Sequence, residues 1–229
     1  MASIHFIGGE KGGVGKSVVA RLLAQYMIDH DLPFIGFDTD RSHGALLRYY
    51  ADYSAASVID RYESLDAIIE AATQDPQRHI LVDLAAQTHH PLSRWMDESG
   101  VLDLAQEMDI KICYWNVMDS GKDCVDLLGK LFEQYQDRMQ YVLVLNQCRD
   151  DQFSSFEQSG LKQKAQELGA KIIDLKRLYT PVMSKIDSHS LSFWAAKSSD
   201  HAQSLGLLER QRVKIWLNHA YAEIAKVGV

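Results

Sequence analysis

The amino-acid sequence predicts an α/β fold: a mostly parallel central sheet with helices on both faces. Three observations predict it. Short apolar, partly β-branched runs recur along the chain, helical apolar patterns separate them, and a glycine-rich turn joins the first run to the first helical pattern. Strands separated by helices require right-handed crossovers, which build a parallel sheet buried on both sides. The 229 residues are 46% hydrophobic and 24% charged, which suits a single domain spanning 1–229.

Taken in order, the apolar runs predict strands at 4–7, 34–37, 80–84, 110–117, 141–145 and 171–175. After the first strand, Val18, Val19, Leu22, Leu23, Tyr26 and Met27 share one helical face. Ser64 is a candidate cap for a helix carrying Leu65, Ile68, Ile69 and Ala72, which stops before Asp75-Pro76. Pro91 opens a helix with Leu92, Trp95 and Met96 inward. Asp119 or Ser120 starts another, in which Val125, Leu128, Phe132 and Tyr135 align. Ser154 and Glu157 have capping-box spacing, and Gly169 is a plausible stop. Val213, Trp216, Leu217, Ala220, Tyr221 and Ile224 mark a last amphipathic helix.

The turn between the first strand and the first helix reads Gly8-Gly9-Glu10-Lys11-Gly12-Gly13-Val14-Gly15-Lys16-Ser17. Strand, glycine loop and helix together are the context of a phosphate-binding P-loop. Gly12, Gly13 and Gly15 let successive backbone N–H groups turn inward on phosphate oxygens, and the helix dipole adds to that field. Val14 and Val18 complete the cradle. Lys16 supplies a cation to the β- and γ-phosphates, and the Ser17 hydroxyl is a candidate Mg²⁺ ligand. The loop holds a second lysine, Lys11, ahead of the usual one.

In such a sheet ligands bind beyond the carboxyl ends of the strands, so strand exits should hold the remaining site residues. Asp38 and Asp40 follow the second strand on the same side of an extended segment, suited to magnesium waters or to an attacking water. Asp83 ends the third strand with Walker-B character, and Gln87 lies close behind it. Asn146 ends the fifth strand, where its amide suits the N7 and amino edge of adenine or satisfies a loop backbone. Gln147, Cys148 and Arg149 replace the Asn-Lys-x-Asp signature of GTPases, which favours ATP.

The doubled-lysine loop, the Asp38/Asp40 pair, Asp83 and Asn146 together resemble the ParA/MinD-type deviant-Walker P-loop ATPases. The match covers about two-thirds of the chain. The resemblance implies a homodimer with ATP sandwiched between subunits, in which Lys11 reaches the partner's nucleotide and Asp40 positions the attacking water. It also implies slow hydrolysis stimulated by a protein activator, and a base contact near Lys176. Two departures stand out: Glu10 occupies a position where the general P-loop has glycine, and the stretch after Asp83 reads Leu-Ala-Ala-Gln without the prolines or glycine of many relatives. The loop and the 181–186 segment are similar to plasmid mobilisation and conjugation ATPases of the same superfamily, so partition, positioning or transfer of plasmid DNA or another cargo is the expected setting.

Other classes compete less well. A metal-cluster carrier of this lineage needs paired interface cysteines, whereas Cys113, Cys124 and Cys148 are widely spaced; Cys113 reads as core. A biosynthetic ligase subunit would need a substrate carboxylate to activate. A net charge of −7 argues against general nucleic-acid affinity. Lys162, Lys164, Lys171, Lys176 and Arg177 offer a local DNA contact, but Glu157, Glu167 and Asp174 interleave with them as on a solvated face. His89-His90 reads as an exposed loop, and Phe193-Trp194 as a packed one. No apolar run reaches the roughly 18 residues of a membrane span. The tail reads as a core-packed helix, not a membrane anchor. A cytoplasmic protein is expected.

Overall fold

Parallel pairing of β1 (Ser3–Gly8) with two partners at once sets the architecture. The computed structural model describes residues 1–40, 44–200 and 205–229. The other strands are β2 (Phe34–Asp38), β3 (Ser54–Ala56), β4 (His79–Asp83), β5 (Lys111–Met118), β6 (Gln140–Asn146) and β7 (Lys171–Leu175). Among the described residues they form one sheet of order β3-β2-β4-β1-β5-β6-β7, parallel throughout. After β4 the chain crosses over β1 to start β5, so the strand order switches direction at β1. That switch point is where open α/β sheets bind ligands.

The helices are α1 (Lys16–Asp29), α2 (Ala45–Tyr49), α3 (Tyr62–Gln74), α4 (His89–Glu98), α5 (Val101–Glu107), α6 (Lys122–Tyr135), α7 (Ser154–Gln158), α8 (Leu161–Glu167), α9 (Thr180–Ser188), α10 (Phe193–Lys197) and α11 (Leu207–Ala225). One contiguous core runs through the molecule, with Phe6, Trp95, Trp115 and Phe132 wholly buried. Every residue of β1 is buried, as a central strand covered on both sides requires.

Several sequence expectations shift. All six expected strands are present, and β3 is added; its Ser-Ala-Ala run is too short and too little apolar to signal a strand. α1 is buried around nearly its whole circumference, Arg21 and Gln25 included, so its apolar stripe understates its burial. Ser64 lies inside α3, not at its cap, and its hydroxyl accepts the Val58 N–H at 2.8 Å. α4 begins two residues before Pro91, which sits in the first turn where its missing N–H costs nothing. His89 and His90 therefore open a helix, with the His89 ring edge-on to Tyr135.

α6 begins after Gly121; the Asp119 carboxylate turns back to accept the Gly121 N–H at 3.0 Å. No capping box closes α7, since Glu157 pairs with Lys162 instead. Phe193 and Trp194 start a short helix capped by Ser192, with Phe193 buried and Trp194 exposed. Gly169 does follow the end of α8 in a left-handed conformation, and the C-terminal helix buries Val213, Trp216, Leu217, Ala220 and Ile224.

Candidate phosphate-binding site

The chain leaves β1 at Gly8, loops through residues 9–15 and enters α1 at Lys16. Gly15 takes φ +99, and a Cβ there would lie 2.2 Å from the Asn146 amide nitrogen, so only glycine fits on both counts. Its carbonyl accepts the N–H groups of Val18 and Val19, both at 3.1 Å, which starts the helix. Val14 is wholly buried and plugs the loop into the core. α1 has neither a side-chain cap nor an acidic residue in its first turn, so its positive end faces the loop uncompensated. Gly12 and Gly13 form the exposed outer edge. Such a loop suits phosphate oxygens.

The two loop lysines point to different places. Lys16 is buried, and its Nζ donates to the carbonyls of Gly9 at 2.8 Å and Lys11 at 3.1 Å, inside the loop. Burial lowers its pKa, opposed by Asp83, Glu10, Asp40 and Cys124. Lys11 turns to the exit of β5, with its Nζ 3.3 Å from Asp119 Oδ1 and 3.9 Å from Asp123 Oδ2.

The register of the sheet brings the acids together. Asp38 and Asp83 are cross-strand partners at the carboxyl ends of β2 and β4. Asp38 Oδ1 accepts the Asp40 N–H at 3.0 Å; Oδ2 accepts the N–H groups of Leu46 at 2.8 Å and Leu47 at 3.3 Å. Its carboxylate thus anchors the start of α2. Burial nevertheless raises its pKa. Asp83 differs. It is buried, and neither carboxylate oxygen has a hydrogen-bond partner among the described residues. Burial and then the Asp38 charge push its pKa up to about 7, against the Ser17 hydroxyl and Lys16. A buried carboxylate with unspent oxygens, beside the Ser17 hydroxyl, is a donor set that fits Mg²⁺. Asp40 is half-buried at the same strand exit.

Asn146 is buried and donates its amide to the Val14 carbonyl at 2.7 Å, bracing the loop from β6. It also lines a cavity of about 270 Å³ together with Gly13, Val18, Cys148, Lys176 and Leu178. Lys176 is exposed at the cavity mouth, where its carbonyl accepts the Trp216 indole N–H at 2.6 Å. A larger cavity, about 450 Å³, lies near Lys111, Met139 and Lys171, at the starts of the strands and away from all these groups.

Four contributors lacked a sequence signal. Thr39 ties the exits of β2 and β4: its hydroxyl donates to the Asp83 carbonyl at 3.0 Å and accepts the Ala85 N–H at 2.9 Å. Glu10 accepts the His89 N–H at 2.6 Å, so the loop caps α4 directly. Its carbonyl also faces the N–H of exposed Gln87, which takes φ +61. Asp119 and Arg149 form an ion pair at 3.1 Å beside the loop. Capping-box spacing flags only local partners, whereas these contacts join distant segments.

No family model matches the chain. It is similar to a protein named TraL from Escherichia coli, 28% identical over 94% of each chain, and to a second Escherichia coli TraL, 25% identical over the full length of both. It is also similar to MobD from Acidithiobacillus ferrooxidans, 21% identical over 95% of this chain and 94% of that protein. A solved structure described as a nucleotide-binding protein in complex with ADP, from Archaeoglobus fulgidus, superposes with a TM-score of 0.48. It is 13% identical and covers 79% of this chain and 84% of its own.

Proposed function

We propose that this chain is an ATPase of the ParA/MinD type, acting as an ATP-dependent dimerisation switch in the transfer, partition or positioning of plasmid DNA or another cargo. The carrying observation is the divergence of the two loop lysines: Lys16 is held inside the cradle, while Lys11 leaves it. A P-loop that only bound nucleotide would need the first lysine alone. The second is paired with Asp119 outside the cradle, which supports a role for it beyond binding its own subunit's nucleotide. Similarity along nearly the whole chain to proteins named TraL and MobD favours the mobilisation and conjugation branch that the sequence resembles.

In this reading the loop N–H groups and Lys16 bind the β- and γ-phosphates of ATP. Ser17, Asp83 and Asp38 would hold Mg²⁺, which would offset phosphate charge. Asp40 orients the water that attacks the γ-phosphorus, with ADP as leaving group. Lys11 adds its charge to the partner's phosphates, which makes turnover depend on dimerisation, as an arginine finger does. The cavity beside Asn146 and Lys176 receives the base. A protein activator accelerates slow intrinsic turnover.

ATP turnover and light-scattering mass, measured with Mg²⁺ on four proteins, test the reading. Lys16→Ala should lose nucleotide binding. Lys11→Ala should keep it but lose ATP-dependent dimerisation and hydrolysis, and Asp40→Ala should trap the ATP dimer. Wild-type hydrolysis by Lys11→Ala would end the sandwich reading. Salt-dependent binding of the ATP-loaded protein to non-specific duplex separates DNA from other cargo; no binding at low salt removes DNA.

A further inference from the structure

Asp119 stands at the exit of β5 with a side chain only 4% exposed, and both its oxygens are engaged. Oδ1 accepts the Gly121 N–H at 3.0 Å, the Cys124 thiol at 3.1 Å and the Lys11 ammonium at 3.3 Å. Oδ2 accepts Arg149 Nη1 at 3.1 Å. One carboxylate therefore serves two cations, and the Asp123 carboxylate also lies 3.9 Å from the Lys11 ammonium. Arg149 reaches further still: a Cβ on Gly13 would lie 3.3 Å from its Nη2, so the guanidinium overhangs the outer edge of the phosphate loop. Its segment also supplies Cys148 to the cavity beside Asn146. Arg149 thus stands beside Gly13, a loop residue that also lines that cavity.

We propose that Arg149 is a third cation for the phosphate chain of the bound nucleotide, and that Asp119 is the shared counter-ion holding Arg149 and Lys11 until the phosphates displace it. This rests on the nucleotide reading above and adds two residues to it. Guanidinium binds phosphate through paired, charge-assisted hydrogen bonds, a better match than the single contact it makes with Asp119. The Arg149 side chain is 58% exposed, so its ion pair is screened by solvent and readily given up. Lys11 reaches the same carboxylate because residue 121 is glycine: a Cβ there would sit 2.8 Å from the Lys11 Nζ. Asp119 is a positioning residue, since it acts through the two cations.

The test compares the affinity of a non-hydrolysable ATP analogue for the wild type, Arg149→Gln, Arg149→Lys and Asp119→Asn, each checked for folding by thermal melting. Asn keeps the acceptor for Gly121 and Cys124 but removes the charge. Arg149→Gln should weaken binding about tenfold, as loss of one charge-assisted contact does, and Arg149→Lys should recover part of that. Asp119→Asn should move affinity the other way, tightening binding several-fold, because Arg149 is released. A purely structural ion pair would weaken binding from either side. Wild-type affinity in Arg149→Gln, or weakened affinity in folded Asp119→Asn, overturns the proposal. If the wild type itself does not bind the analogue, the nucleotide reading fails. If the wild type binds, Lys16→Ala does not, and Arg149→Gln matches the wild type, this inference alone fails.

Discussion

Asn146 donates its side-chain amide to the Val14 carbonyl at 2.7 Å, fastening the end of β6 to the phosphate loop across 132 residues of chain. The contact is buried, and Gly15 is shaped around it. Strand, loop and cavity wall are therefore set by one amide. In this position Asn146 braces the loop and also lines the cavity beside it, so the roles of brace and base contact call for separation.

That distinction is measurable. Asn146→Ala would leave the Val14 carbonyl unpaired in the core, at a cost of about 1–3 kcal/mol. A brace weakens ATP and GTP binding alike, so the ratio of the two affinities should stay near its wild-type value. A change in that ratio in the variant would assign Asn146 a base-reading role. Titrations with both nucleotides, alongside a denaturant melt, give both answers.

Glu10 offers a second coupling. Its carboxylate caps α4 through His89 N–H while its backbone belongs to the phosphate loop. Glu10→Ala should cost about 1 kcal/mol, as loss of a helix cap does, and Glu10→Gln roughly half, because the acceptor survives without its charge. Hydrogen exchange should localise the loss to the first turn of α4. Exchange spread evenly over the molecule would count against a local cap.

The sheet was legible because buried strands carry their own signature. Ile80, Leu81 and Val82 are apolar whichever face they turn to. The loop was legible because Gly12, Gly13, Gly15 and Lys16 are all local to one turn. Helix starts were less so: Thr88, Gly121 and Phe153 precede their helices without a side-chain cap, so no residue type announced them. Contacts across the fold were not legible at all. Glu10 meets His89 79 residues away, and Lys11 meets Asp119 across 108. Nothing in either segment alone specifies such a meeting; only the strand order, with β1 between β4 and β5, creates it.

Asp83 carries a pH signature. Its carboxyl is pushed up to about 7 in the folded protein, chiefly by burial, against about 3.9 unfolded. Between those values the native state binds the extra proton, so stability from this group is present at low pH and is lost as pH rises through 7. In EDTA, Asp83→Asn should therefore be more stable than the wild type at pH 8, by about 2–4 kcal/mol, and indistinguishable near pH 4. The same variant should lose the Mg²⁺ dependence of nucleotide binding. Denaturant melts at both pH values check the first part, and titrations with and without Mg²⁺ the second.

His5 responds with the opposite sign. The Trp115 indole N–H donates to its Nδ1 at 3.0 Å, so the proton of neutral His5 sits on Nε2, 2.8 Å from Ser3 Oγ. Ser3 Oγ in turn lies 2.7 Å from His79 Nδ1, closing a chain between β1, β4 and β5. Burial, and then the His79 charge, lower the His5 pKa to about 3, while the unfolded value is near 6.5. The unfolded chain alone takes up the proton between those values, so this stability is present above pH 6.5 and falls as pH drops. The loss should reach about 2–3 kcal/mol by pH 4.5. Asp83 gains stability across much of the same window, and the two slopes would cancel in the wild type. The measurement therefore belongs in the Asp83→Asn background, where His5→Gln should flatten the remaining acid slope while keeping an acceptor for Trp115. An undiminished slope in that double variant would assign the acid sensitivity to other groups.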